Sequence, residues 1–137
     1  MVEEGEPPGA TTLYSSAASD VYKGQLLNCG VISDNIKRID VPGSFELVFG
    51  SKKMIQSGVD VVIAIGCVIK GETEHFNYIC QSVSKGIIDL NINFDIPVVF
   101  CVLTDNIKQQ SIDRSGGKFG NKGVEAAITA LQLANLN

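Results

Sequence analysis

Two segments of the chain are apolar at every position, Val61 to Gly66 (VVIAIG) and Pro97 to Leu103 (PVVFCVL). Short, continuous, β-branched-rich runs of this kind belong to parallel strands covered on both faces, so two such strands are predicted, the first of them central in its sheet. Around them the period changes. Leu47, Val48, Met54 and Ile55 fall at near-helical spacing over Phe45 to Gln56, which Gly58 closes. Ile79, Val83, Ile87 and Leu90 do the same over His75 to Leu90, and Val124, Ala127, Ile128, Leu131 and Ala134 form a stripe over Asn121 to Asn135. Further helices are expected over Asn106 to Ser115 and over Tyr14 to Asn28, the latter with Ala17, Ala18, Val21, Leu26 and Leu27 inward and Gly30 as its stop. Asn35 to Val41 (NIKRIDV) alternates loosely before Pro42-Gly43, which suits an edge strand. Met1 to Thr12 holds two prolines, two glycines and three glutamates without any period. It reads as a flexible arm ahead of a single domain over residues 13–137.

Strands alternating with helices argue for an α/β fold, a layered sandwich with a central parallel sheet and right-handed crossovers. Composition agrees with one domain: 137 residues, 45% hydrophobic and 19% charged, suffice for a core without staples. Eleven Lys+Arg against fifteen Asp+Glu give a net charge of −4, which leaves no electrostatic footprint for nucleic acid. No apolar run approaches the roughly 20 residues that span a bilayer, and the acidic N-terminus lacks the features of a secretory leader, so no membrane partner and a cytoplasmic location are expected. Cys29, Cys67, Cys80 and Cys101 are far apart and His75 is the only histidine. Buried free thiols are expected, and no metal site.

Ligands of parallel α/β sheets sit beyond the carboxyl ends of strands, here the segments after Val41, Gly66 and Leu103. The first, PGSFE, leads Gly43 and Ser44 into a helix whose early amides are free for a polar ligand, and serves equally as a turn and cap. The second, CVIKGETEHFNY, offers close backbone approach at Gly71 and a helix entrance at Thr73 and Glu74 that suits an anion or a plain cap. His75 lies in that first turn, off the apolar stripe; an imidazole there can take and give a proton near neutrality, or be structural. The third, IDRSGGKFGNKG, brings Arg114, Lys118 and Lys122 together with four glycines. It reads as a phosphate clamp or as a solvated basic loop.

Taken together, VPGSFEL, IGCVIKGETEHFNYIC and VVFCVLTDNIKQQSIDRSGGKFGNKGVEAAITAL resemble, in order and spacing, the signature segments of the lumazine synthases of riboflavin biosynthesis, over about Asn35 to Leu136. The resemblance implies a flavodoxin-like three-layer sandwich and a transferase. The reaction would condense 5-amino-6-(D-ribitylamino)uracil with 3,4-dihydroxy-2-butanone 4-phosphate to 6,7-dimethyl-8-ribityllumazine, phosphate and water, with no cofactor. It implies that Ser44, Phe45 and Glu46 hold the ribityl chain; that Cys67, Val68 and Ile69 meet the pyrimidine edge; and that Gly71, Glu72 and Thr73 line the phosphate side. His75 would be the proton shuttle, Arg114 the phosphate clamp with Lys122 beside it, and Phe100, Arg114 and Lys122 would come from the adjacent subunit of a homo-pentamer. A shell of sixty subunits and a partnership with riboflavin synthase stay open. A second reading keeps the pentameric scaffold for assembly or ligand binding without catalysis, and a third is an unrelated flavodoxin-like binding module.

The N-terminus departs from the family pattern. In a gap-free register from VPGSF, the family's first strand, central in a sheet of order 2-1-3-4, falls on the Pro- and Gly-rich arm, and its closing aromatic–Asn pair falls on Ala10-Thr11. The first strand is therefore expected to be missing or replaced, and the ring that stacks on the pyrimidine to be absent. A shortened gene product, a strand from elsewhere in the assembly and a non-catalytic relative all fit. Cys101 and Ser115 stand where glycine and alanine are usual.

Overall fold

The structure, a computed structural model, describes residues 2–4 and 23–136. Four parallel strands, β1 (Val2–Glu4), β2 (Ile39–Val41), β3 (Val62–Ile69) and β4 (Val98–Asp105), form one sheet in the order β2-β1-β3-β4. The two all-apolar runs fall in β3 and β4, which pair from Val62 opposite Val98 to Ile69 opposite Asp105 and so extend beyond the expected ends at Gly66 and Leu103. Among the described residues, helix α1, described over residues 23–28, and helices α2 (Leu47–Gln56), α3 (His75–Asn93), α4 (Lys108–Arg114) and α5 (Lys122–Ala134) accompany the sheet.

The pleat of β3 divides the core. Val62 and Ala64 face Leu47, Met54 and Ile55 of α2 and Val83, Ile87 and Leu90 of α3. Ile63 and Ile65 face Leu26 of α1 and Ala126, Ala127 and Ala130 of α5. This is the expected three-layer α/β sandwich. Full burial of Leu47, Val62 and Val83 contributes about 1.5–3 kcal/mol for each side chain. At the start of β4, Asn91 of α3 both donates to the Val98 carbonyl at 2.9 Å and accepts from the Val98 amide at 2.8 Å. A helix side chain thus satisfies strand backbone where no further strand is paired among the described residues.

Four expectations are corrected. The arm expected over Met1 to Thr12 contains a strand: Val2–Glu4 lie between β2 and β3, Val2 opposite both Ile39 and Ala64. The central strand is therefore replaced, not lost, because the exposed ladders of β2 and β3 accept any short extended segment that can satisfy their amides and carbonyls. Residues 5–12, including Ala10-Thr11, and the first part of the Tyr14 to Asn28 helix lie outside the described residues. Leu27 is exposed while Leu26 is buried. The buried stripe of α5 is Gly123, Ala126, Ala127 and Ala130, with Ile128 turned outward, since small residues let that helix approach the sheet closely. Of the four free thiols, Cys67 and Cys101 are buried, but Cys80 is half-buried and Cys29 exposed. Burial pushes the Cys80 thiol above its ordinary value, a shift opposed by a backbone hydrogen bond.

Candidate active site

The segments after β2 and β3 meet at the carboxyl end of the sheet. Beyond Val41 the chain extends through Gly43 and turns into a 3-10 helix, Ser44–Glu46, that feeds α2. Ser44 is buried and donates to the Cys67 carbonyl at 3.4 Å, so the turn rests on the end of β3. Gly66 makes this contact feasible: a Cβ there would stand 2.8 Å from both Leu47 Cδ1 and Ser44 Oγ. After β3, residues 70–74 lead into α3, and His75 is its first residue.

Gly43, Ser44, Phe45, Glu46, Cys67, Val68, His75 and Ile79 line one open cleft of about 550 Å³. Six of these are expected site residues: Ser44 and His75 from the strand-end segments, and Phe45, Glu46, Cys67 and Val68 from the family resemblance. Ile79 was assigned to the helix core and missed as a wall; its signal is its position four residues after His75, on the same helix face. The cleft wall is largely apolar, the Phe45 ring stays exposed, and the histidine sits at the rim. At the α3 entrance the Thr73 hydroxyl accepts from the His75 amide at 3.4 Å, and Glu74 accepts from Asn77 at 2.6 Å. Glu74, at the cap position, makes no side-chain cap bond to the helix amides. The entrance therefore combines α3 amide groups with an exposed imidazole, a setting for an anionic group beside a proton carrier.

Not every expected residue lies there. Ile69, Gly71, Glu72 and Thr73 are not among the residues lining the cleft, although they connect directly to it. Phe100 and Lys122 line a separate hollow of about 370 Å³ along the free edge of β4, together with Asn91, Val98 and Glu125. Lys122 forms an ion pair with Glu125 one turn on. Arg114 is exposed at the end of α4, immediately before a hairpin of β5 (Ser115–Gly117) and β6 (Gly120–Asn121). The glycine-rich run is thus an ordered turn: Gly116 and Gly120 adopt positive φ, and the Phe119 amide donates to the Asp113 carbonyl at 2.8 Å.

The cleft and its residues can be set beside known proteins. The family model described as 6,7-dimethyl-8-ribityllumazine synthase matches residues 12–137. This chain belongs to the 6,7-dimethyl-8-ribityllumazine synthase family. Among its relatives, the 6,7-dimethyl-8-ribityllumazine synthase of Flavobacterium psychrophilum is 62% identical over 112 residues, which is 81% of this chain and 59% of the relative. That of Flavobacterium johnsoniae is 62% identical over 110 residues, 80% of this chain and 58% of the relative. The Cytophaga hutchinsonii protein of the same name is 54% identical over 117 residues, 82% of this chain and 74% of the relative. The chain spans about three fifths of the length of the two Flavobacterium relatives. Among the described residues, no group of three or more His, Cys, Asp or Glu could hold a metal ion, and no helix is long and apolar enough to cross a membrane.

Proposed function

We propose that this family member condenses 5-amino-6-(D-ribitylamino)uracil with 3,4-dihydroxy-2-butanone 4-phosphate, giving 6,7-dimethyl-8-ribityllumazine, phosphate and water in riboflavin biosynthesis. The observation that carries the reading is the cleft that gathers Ser44, Phe45, Glu46, Cys67, Val68 and His75 beside the entrance of α3. In this reading Ser44 to Glu46 face the ribityl hydroxyls and Cys67 to Ile69 the pyrimidine edge, while Gly71 to Thr73 and the α3 amides receive the phosphate. His75 takes a proton from the attacking amine as the imine forms and returns protons as water and phosphate depart. Binding both reactants in one cleft supplies the orientation that a condensation of two dilute molecules lacks.

Phe100, Arg114 and Lys122 reach the cleft from a second copy in this reading. Their placement along the β4 edge and at the end of α4, away from the cleft lining, supports it: they and the cleft are different patches of one chain, which a head-to-tail contact between copies brings together. Heterologous contacts of that kind close into rings, and a pentamer is the ring proposed. The arriving Arg114 pairs with the phosphate oxygens and stabilises the departing anion.

The test is lumazine formation by the purified chain, followed by absorbance and corrected for the uncatalysed condensation. The reading predicts acceleration, reduced about 10²-fold by His75→Ala. An unchanged rate in His75→Ala would remove the proton shuttle, and no acceleration by a folded, assembled sample would favour a non-catalytic relative with the same scaffold.

A further inference from the structure

Behind the cleft wall, Cys67 is tied to two buried polar side chains that the proposed reaction does not use. Ser111 of α4, with no exposed surface, donates to Asp105 Oδ2 at 2.7 Å, and its Oγ lies 3.3 Å from Cys67 Sγ. All three residues are buried. Ser111 spends its single proton on Asp105, so toward Cys67 its oxygen can only accept, and the thiol is the donor. The order is therefore Cys67 S–H to Ser111 O–H to Asp105. Cys67 lines the cleft, and its own carbonyl accepts from Ser44, which lines the cleft as well. Asp105 is the last residue of β4, and its carbonyl accepts from the Lys70 amide at 2.8 Å. Ser111 also reaches forward: its carbonyl accepts from the Ser115 hydroxyl at 2.7 Å, next to Arg114.

We infer that Asp105 and Ser111 are positioning residues for the cleft. Through Cys67 the two side chains fix the wall at residues 67–68 and the Ser44 turn that leans on it. Neither side chain is among those lining the cleft, so they act on a ligand only by where they hold these neighbours. A buried chain with donor and acceptor matched at each link holds one arrangement, whereas a partly satisfied one costs stability and lets the wall move. Bulk packing alone would give the wall no such dependence on a single hydroxyl proton.

The inference rests on the proposed condensation only for the identity of its ligand, and two readouts keep the two apart. Ser111→Ala removes the middle link, and Asp105→Ala removes the acceptor. In steady-state kinetics, both variants should raise KM for the ribitylaminouracil about tenfold, with kcat changed less than about threefold, at a temperature where circular dichroism shows both fully folded. Independently, alkylation of Cys67 by iodoacetamide, read by peptide mass spectrometry, should accelerate at least about fivefold in either variant, because the thiol is no longer held between the strand and α4. Folded variants with unchanged KM and unchanged Cys67 labelling would overturn the inference. If the parent chain neither binds nor converts the pyrimidine, the ligand assignment falls and the labelling rates alone decide the positioning role.

Discussion

Gly66→Ala probes the contact that builds the cleft. The new methyl would stand 2.8 Å from Leu47 Cδ1 and 2.8 Å from Ser44 Oγ, on side chains that are themselves buried, so neither can swing into solvent. Relief requires the 3-10 turn and the start of α2 to move off β3, and overpacking of that kind costs about 2 kcal/mol. Unfolding entropy near 2.1 cal/mol/K per residue gives roughly 0.29 kcal/mol/K for a chain of 137 residues, so Tm should fall by about 7 °C. Gly71→Ala is the control, since a Cβ there meets nothing within 4 Å and φ is not positive. Thermal unfolding followed by circular dichroism at matched concentration separates the two. A Gly66→Ala protein that melts within 1 °C of the parent would show that the turn does not rest on β3 as described.

Other predictions concern the strand, the clamp and the thiols. Glu3→Pro removes an amide donor from the middle of β1, between two partner strands, and should lower stability by about 3 kcal/mol or prevent folding, as judged by urea denaturation; an unaltered midpoint would mean that residues 2–4 do not fill the sheet. Arg114→Ala should raise KM for the butanone phosphate by about 10-fold to 100-fold and leave pyrimidine binding unchanged, whereas equal weakening of both would make Arg114 an interface residue instead. At pH 8, Cys29 should be alkylated well before Cys80: Cys29 is exposed, and the raised thiol pKa of Cys80 leaves less of the reactive thiolate, so its rate rises only at higher pH. Comparable rates at pH 8 would refute that ordering.

How far the sequence foretells the structure varies with how much of each element's pattern is its own. VVIAIG and PVVFCVL declare their burial on both faces and become the paired β3 and β4. Ser44 and His75 follow from the rule that strand ends carry ligands, whereas Phe45, Glu46, Cys67 and Val68 rest on the family resemblance, and residues 67–68 lie within β3, which runs on to Ile69. Val2–Glu4 could not be read this way. Three residues, two of them glutamates, have no period, and their strand is dictated by the two ladders they join. In α5 the largest apolar residues suggested a face with Ile128, but close helix–sheet approach selects Gly123 and the alanines, which hydrophobicity alone does not rank. The Asp105–Ser111–Cys67 chain leaves no local trace, because its members come from a strand end, a helix and a second strand.

The central claim is a condensing site completed by a second copy of the chain, and subunit mixing tests it most directly. His75→Ala and Arg114→Ala chains, each impaired alone, are co-expressed with different tags and purified as mixed assemblies, and lumazine formation is then measured. Random head-to-tail neighbours should restore about a quarter of the parent activity, since about one interface in four pairs an intact His75 cleft with an intact Arg114. Activity no greater than the average of the two variants, in verified mixed assemblies, would contradict a shared site.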